Sequence, residues 1–379
     1  MRDAAPRRSA SLDESSSAPV QAPNGPVEEY DEGAPPPRLQ FTARNVLLLG
    51  GFLAAALTAL YYLLPQIAGL EDTWHRIEDG SPNWMFAALV FVVGMFGGYV
   101  MMFRGVFVRA HGGERIGWRE SYQITMAGLA ASRIFAAGGA GGLVLTAWAL
   151  RRAGMRKRLV ADTTLSFLIL TYFPYVVSLI VCGLGLRLGL LPGEAPFGLT
   201  VVPASFAFIA LAIGLSIALV PTDLQRRLGR WSRDGGGIAR LAQKLAHLPA
   251  SASAGMRDAL AHVRSRDPAL LGAVLFWAFQ ILVLWAAFKA FGDAPPAAVL
   301  VQAFFVGMLG NLLPMPGGVG GVEGGMIASF VAFGVDGGLA VVAVLIYRAF
   351  TFWLPLIPGV IAYFQLRRTV ERWSLSYTK

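Results

Sequence analysis

Three ionisable side chains, Arg133, Glu323 and Arg348, stand inside or beside long apolar stretches. Arg133 comes just before a glycine run, Gly138-Gly139-Ala140-Gly141-Gly142, and Glu323 just after a second, Gly317-Gly318-Val319-Gly320-Gly321, while Arg348 lies nine residues into the last apolar block. A charge at membrane depth costs about 2.5–3.5 kcal/mol on insertion scales, so each of these groups needs a partner or a task. Two arginines can neutralise a phosphate, because a guanidinium presents its donors in a fork that matches phosphate oxygens. The glycines suit the same ligand. Without side chains their backbone can face a cavity, and the start of the helix that follows adds partial positive charge. Two structural accounts stay open beside this one: a permanent Glu323–Arg348 bridge that locks two helices, and glycines that only let helices pack closely.

The glycine pattern is one part of a longer duplication. Gln123 and Gly128 in the first half recur as Gln302 and Gly307 in the second, at the same 179-residue offset that relates the two glycine runs. In the second copy Asn311, Pro314 and Pro316 precede the glycines, and proline leaves carbonyls unpaired that asparagine or a ligand can satisfy. A repeated membrane unit points towards transport, since two similar surfaces can rock about a site between them.

Elements that could position these residues follow from hydropathy. The chain is 55% hydrophobic and 15% charged, with positive mean hydropathy, and its apolar residues come in long blocks, as in a polytopic all-α membrane protein. Blocks at 45–64, 83–103, 159–186, 200–220, 269–288 and 339–364 are each long enough to cross roughly 30 Å of hydrocarbon. Shorter apolar arms, 121–135 with 143–150 and 297–313 with 322–335, flank the two glycine runs. These predict re-entrant broken-helix hairpins, or else pairs of short full spans.

Lys and Arg are concentrated in 104–120 (four), 151–158 (five), 221–268 (nine) and beyond 365 (four), against one each in 65–82, 187–199 and 289–296. The basic loops and both termini are therefore expected on the cytoplasmic side of the cell membrane, and the net charge of +9 reflects orientation beside anionic lipid rather than nucleic acid. Each half then holds three crossings and a hairpin, and an odd number of crossings inverts the second half. The expected organisation is a disordered tail at 1–44, rich in Pro, Ser and acidic residues, a membrane domain at 45–368, and a tail at 369–379. Within the domain the first repeat covers about 45–186 and the second about 200–364, with a basic loop at 221–268 lying along the inner leaflet.

Other chemistry is poorly supported. Arg7 and Arg8 precede no apolar stretch close enough for a twin-arginine signal, and the lone Cys182 allows no disulfide framework or Cys-based metal site. The four histidines, His75, His111, His247 and His262, fall in expected loops without metal-ligand spacing and read as solvated. No P-loop, nucleophile elbow, dinucleotide fingerprint or acidic metal cluster occurs, so neither a cofactor nor enzyme activity is expected.

Taken together, Gly128 to Arg133 with the first glycine run, Asn311 to Glu323, Tyr347-Arg348 and Phe352-Trp353-Leu354-Pro355 resemble the lysylphosphatidylglycerol synthase transmembrane region family over about 45–368. The first copy departs from the family pattern at Phe135-Ala136-Ala137, where prolines are often found. The resemblance implies a flippase-like region that moves a phospholipid or lipid-linked cargo between leaflets, and does not imply aminoacyl transfer. The expected binding residues are Arg133, Glu323, Arg348, Asn311, Gln123, Gln302, Gly138, Gly139, Gly141, Gly142, Pro314, Pro316, Gly317, Gly318, Gly320 and Gly321. Expected partners are the lipid substrate and membrane lipids, with a homo-oligomer or an envelope enzyme as further candidates. The rival class is a non-transporting scaffold that presents loop 221–268 to a lipid or cell-envelope enzyme.

Overall fold

Nearly every apolar block begins or ends at a proline, an Asp cap or a glycine, and the helices follow those marks. The computed structural model describes residues 80–109, 116–134, 140–219, 255–265, 267–312 and 318–375, which form helices and short connections with no strand among them. The expected tail at 1–44, the first span at 45–64 and most of loop 221–268 lie outside the described residues, as do Gly138, Gly139, Pro314, Pro316 and Gly317.

Helix α1 (Pro82–Phe103) opens with proline in its first turn, where no N–H is needed, and runs on as a π-helical segment, Arg104–Arg109. It is followed by α2 (Trp118–Ile134), α3 (Ala140–Arg152), α4 (Lys157–Arg187) and α5 (Phe197–Leu219). A short helix, α6 (255–264), leads into α7 (Pro268–Phe291), whose N-cap Asp267 accepts the Ala269 N–H at 2.8 Å. Then come α8 (Ala297–Met308), tightening into a 3-10 turn at Leu309–Leu312, and α9 (Gly321–Ala332). Helix α10 (Gly337–Arg348) is capped by Asp336, which accepts the Leu339 N–H. A π-helical segment, Ala349–Trp353, joins it to α11 (Leu356–Leu375).

Among the described residues, five helical stretches are long and apolar enough to cross a membrane: Pro82–Val108, Lys157–Arg187, Phe197–Ser216, Pro268–Phe291 and Gly337–Trp373. The chain is a multi-pass integral membrane protein. Phe86, Val93, Phe206, Ile213 and Ile357 are exposed on these helices, as an outer surface in contact with lipid hydrocarbon requires. The four hairpin arms are shorter, 17 residues in α2, 13 in α3 and 12 each in α8 and α9. At 1.5 Å per residue they span about 18–26 Å, less than the roughly 30 Å of hydrocarbon.

Helices α1 and α7 form the central, antiparallel pair. The Ser81 N–H at the start of one donates to Ala290 O near the end of the other, and Trp84 meets Trp285 edge-on at 4.9 Å. Midway the backbones nearly touch, because a Cβ on Gly98 would lie 2.9 Å from Phe276 N and 3.0 Å from Gly272 O. Around this pair α2 packs on α11, α4 on α5 and α8, and each hairpin folds on itself.

The last block is long and apolar enough to cross, as expected, and turns π-helical at Ala349–Trp353, immediately after Arg348, with Pro355 close behind. One expectation is corrected. It concerns His262, in the described end of loop 221–268, which was expected to be solvated. Helix α6 docks on α4, where Ser166 Oγ donates to the Gly255 carbonyl and to Asp258, and His262 on α6 is buried, not surface-solvated. Its Nδ1 lies 3.3 Å from the Asp267 carboxylate and its Nε2 3.8 Å from Asp258. Sequence spacing could not show this, since the burial comes from docking rather than from the helix's own pattern. The other three histidines lie outside the described residues.

Candidate functional site

The duplicated glycines act first on packing. In the first hairpin, a Cβ on Gly142 would collide with the Gly128 carbonyl and the Ser132 hydroxyl, and one on Gly128 would lie 3.0 Å from Thr146 Oγ1. In the second, a Cβ on Gly307 would lie 2.6 Å from both N and Cα of Met326, and one on Gly310 would collide with the Gly321 carbonyl. Gly128 and Gly142 thus do in one hairpin what Gly307 and Gly321 do in the other, bringing the two arms into backbone contact. Gly141 lies in the first turn of α3, beside Gly142. Gly318 and Gly320, at φ 66° and 86°, turn the chain into α9 through left-handed conformations that favour glycine.

That turn aims Glu323. At the third position of α9 its Oε2 accepts the Gly320 N–H at 2.8 Å, an N-terminal capping arrangement. Its Oε1 accepts Arg348 Nε at 2.7 Å, with the two side chains only 13% and 9% exposed. Arg348 closes α10, and beside it the buried Tyr347 hydroxyl donates to Gln280 Oε1 at 2.8 Å, tying α10 to α7.

Arg133 arrives from the other hairpin. In an α-helix the Thr351 carbonyl would accept from residue 355, but that residue is Pro355 and has no N–H. The Arg133 guanidinium supplies what is missing, donating to Thr351 O at 2.7 Å and to Phe352 O at 2.5 Å. Both arginines also lie over one aromatic ring: the guanidinium carbon of Arg133 is 4.8 Å and that of Arg348 4.4 Å from the centroid of Phe352. The first hairpin, the second hairpin and the broken last helix therefore converge on one buried spot holding two cations and one carboxylate. Arg133→Ala would remove both of these bonds, each bond to a charged group contributing about 1.5–3 kcal/mol. A lower unfolding temperature in detergent, larger for Arg133→Ala than for Arg133→Lys, is the expected result.

Other anticipated residues have separate tasks. Gln123 is buried between α2 and α11, accepting Thr369 Oγ1 at 3.0 Å and donating to Gln365 at 3.4 Å. Gln302, its counterpart by spacing, donates to Leu199 O at 2.8 Å, holding α8 to the start of α5. Asn311 is exposed, its amide nitrogen 3.8 Å from Met308 Sδ and its oxygen against Gly318. Thr351 and Phe352 were not anticipated as parts of the site; the proline four residues after Thr351 was the available signal. Among the described residues, no group of three His, Cys, Asp or Glu side chains is placed to hold a metal ion.

A family model described as the lysylphosphatidylglycerol synthase TM region matches residues 47–359. Two UPF0104 membrane proteins of Methanothermobacter thermautotrophicus are each 29% identical, one over 165 residues (41% of this chain, 49% of the relative) and the other over 173 (44% and 47%). The chain spans about half the length of the curated relatives it matches. No solved structure matches it.

Proposed function

The chain belongs to the lysylphosphatidylglycerol synthase TM region family, and from its buried charge cluster we propose that it is a lipid translocase, moving a phosphate-bearing lipid between the leaflets of the cell membrane. The observation that carries this is that Arg133, from one glycine hairpin, binds the π-helical segment that follows Arg348, while Glu323, from the other hairpin, pairs with Arg348 itself. Transport by two rocking halves needs a polar site where both halves close, and the charge must be balanced when that site is empty. In the empty state Glu323 neutralises Arg348, and Arg133 rests on the Thr351 and Phe352 carbonyls. A phosphate entering between them takes over both guanidiniums, and Glu323 stays on the α9 backbone that it already caps.

In this proposal the halves at about 45–186 and 200–364 are inverted repeats and the short-armed hairpins are re-entrant, one from each side, with both chain termini cytoplasmic. The parallel roles of Gly128 with Gly142 and of Gly307 with Gly321 support it, as does the packing of α2 on α11 beside that of α8 on α4. Cysteines placed at Gly113, Gly193 and Gly235 in a Cys182→Ser background test the inversion. The first and third should react with an impermeant reagent only from the cytoplasm, the second only from outside, and any other pattern refutes the topology.

The function is tested by the transbilayer movement of fluorescent phospholipids in proteoliposomes. Movement above protein-free vesicles that disappears in Arg348→Ala supports a translocase, whereas normal movement in Arg348→Ala separates the charge cluster from transport.

A further inference from the structure

Two guanidiniums over one benzene ring repel each other, and a fold that keeps them there needs something in return. Arg133 and Arg348 come from different helices, yet their guanidinium carbons lie 4.8 and 4.4 Å from the same Phe352 centroid, so they are no more than about 9 Å apart. A phosphate held by two guanidiniums spans up to about 8 Å between their central carbons, given charge-assisted bonds of about 2.8 Å on each side. The ceiling that the ring sets on the separation of the two cations is therefore close to the largest span that one phosphate group bridges. Its quadrupole compensates part of each charge, which an aliphatic side chain cannot do. Phe352 is itself buried, 6% exposed, and its carbonyl is one of the two that bind Arg133, so ring and backbone of a single residue fix that side chain from two directions.

We propose that Phe352 is a positioning residue of the anion site, holding Arg133 and Arg348 at the spacing of a single phosphate group and so setting the affinity for phosphate-bearing lipid. This rests on the translocase reading above, and its test is built to fail separately from it. Phe352→Leu keeps an apolar side chain but removes the π face, while Phe352→Tyr keeps the face and adds a hydroxyl.

Wild type, Phe352→Leu, Phe352→Tyr and Arg348→Ala are reconstituted at equal density from monodisperse samples and assayed below the unfolding temperature of every variant. Movement of a fluorescent phosphatidylglycerol is then measured against increasing short-chain phosphatidylglycerol as competitor. Phe352→Leu should raise the half-inhibitory concentration at least tenfold, and Phe352→Tyr should stay within threefold of wild type. A purely packing role predicts another order, in which Tyr, with its extra buried hydroxyl, is as damaging as Leu or more so. That order, or unchanged competition in Phe352→Leu while Arg348→Ala is inactive, overturns the role of Phe352 and leaves the translocase standing. Absence of movement in wild type overturns the translocase reading instead, and the proposal for Phe352 with it.

Discussion

Replacing Arg348 by alanine is expected to destabilise the protein by about 3–5 kcal/mol, the cost of leaving one member of a buried ion pair uncompensated. The orphaned group is Glu323, whose side chain is 13% exposed and whose remaining oxygen caps α9. The double substitution Glu323→Gln with Arg348→Met should recover most of that loss. Gln keeps the capping bond to the Gly320 N–H, Met fills most of the volume of the arginine stem, and a neutral pair of similar size often matches a buried ion pair in stability. Transport should nevertheless stay absent in the double variant, since no guanidinium is left at the end of α10 to receive a phosphate. The same samples provide both readouts, thermal unfolding in detergent and lipid movement in proteoliposomes. A bridge that serves only to lock two helices would show transport returning together with stability.

Gly307→Ala is expected to lose about 1–3 kcal/mol or more, because its new methyl would meet the Met326 backbone at 2.6 Å and force α8 and α9 apart. Backbone cannot turn aside as a flexible side chain can, so the hairpin must open. Gly142→Ala should behave alike in the first hairpin, against the Gly128 carbonyl and Ser132. Gly324→Ala is the contrast. A Cβ there has nothing within 4 Å, and the residue lies inside α9, so the substitution should gain about 0.5–1 kcal/mol by restricting the unfolded chain. Equal effects at positions 307 and 324 would mean that glycine content, and not the close crossing, governs these hairpins.

How much of this was legible in the sequence differs by element. Uninterrupted apolar runs were read to within a few residues: the blocks at 83–103 and 159–186 became Pro82–Phe103 and Lys157–Arg187, since nothing in a long apolar stretch competes with helix formation in lipid. The short arms and the register of the duplicated glycines were legible for the same reason. The break after Arg348 was not, because hydropathy is blind to a proline that leaves a block apolar while deleting one hydrogen-bond donor. Once Pro355 is weighed, the unpartnered Thr351 carbonyl and a donor to fill it follow directly. Gln123 and Gln302 share the 179-residue offset of the duplication. Their observed bonds, to Thr369 and Gln365 in one case and Leu199 in the other, depend on which helices become neighbours, and that is a property of the assembled bundle. His262 is the same lesson from the other side: a polar residue in an apparent loop was buried by a helix docking on α4.

The most direct measurement is the movement of fluorescent phospholipids across proteoliposomes containing wild-type protein, with a phosphate-bearing lipid and a phosphate-free glycolipid of the same chain length run side by side. The account predicts rapid movement of the phosphate-bearing lipid, little of the glycolipid, and loss of the former in Arg348→Ala protein that remains folded. Equal movement of both lipids, or movement that Arg348→Ala leaves intact, would contradict a phosphate site built from Arg133, Arg348 and Glu323.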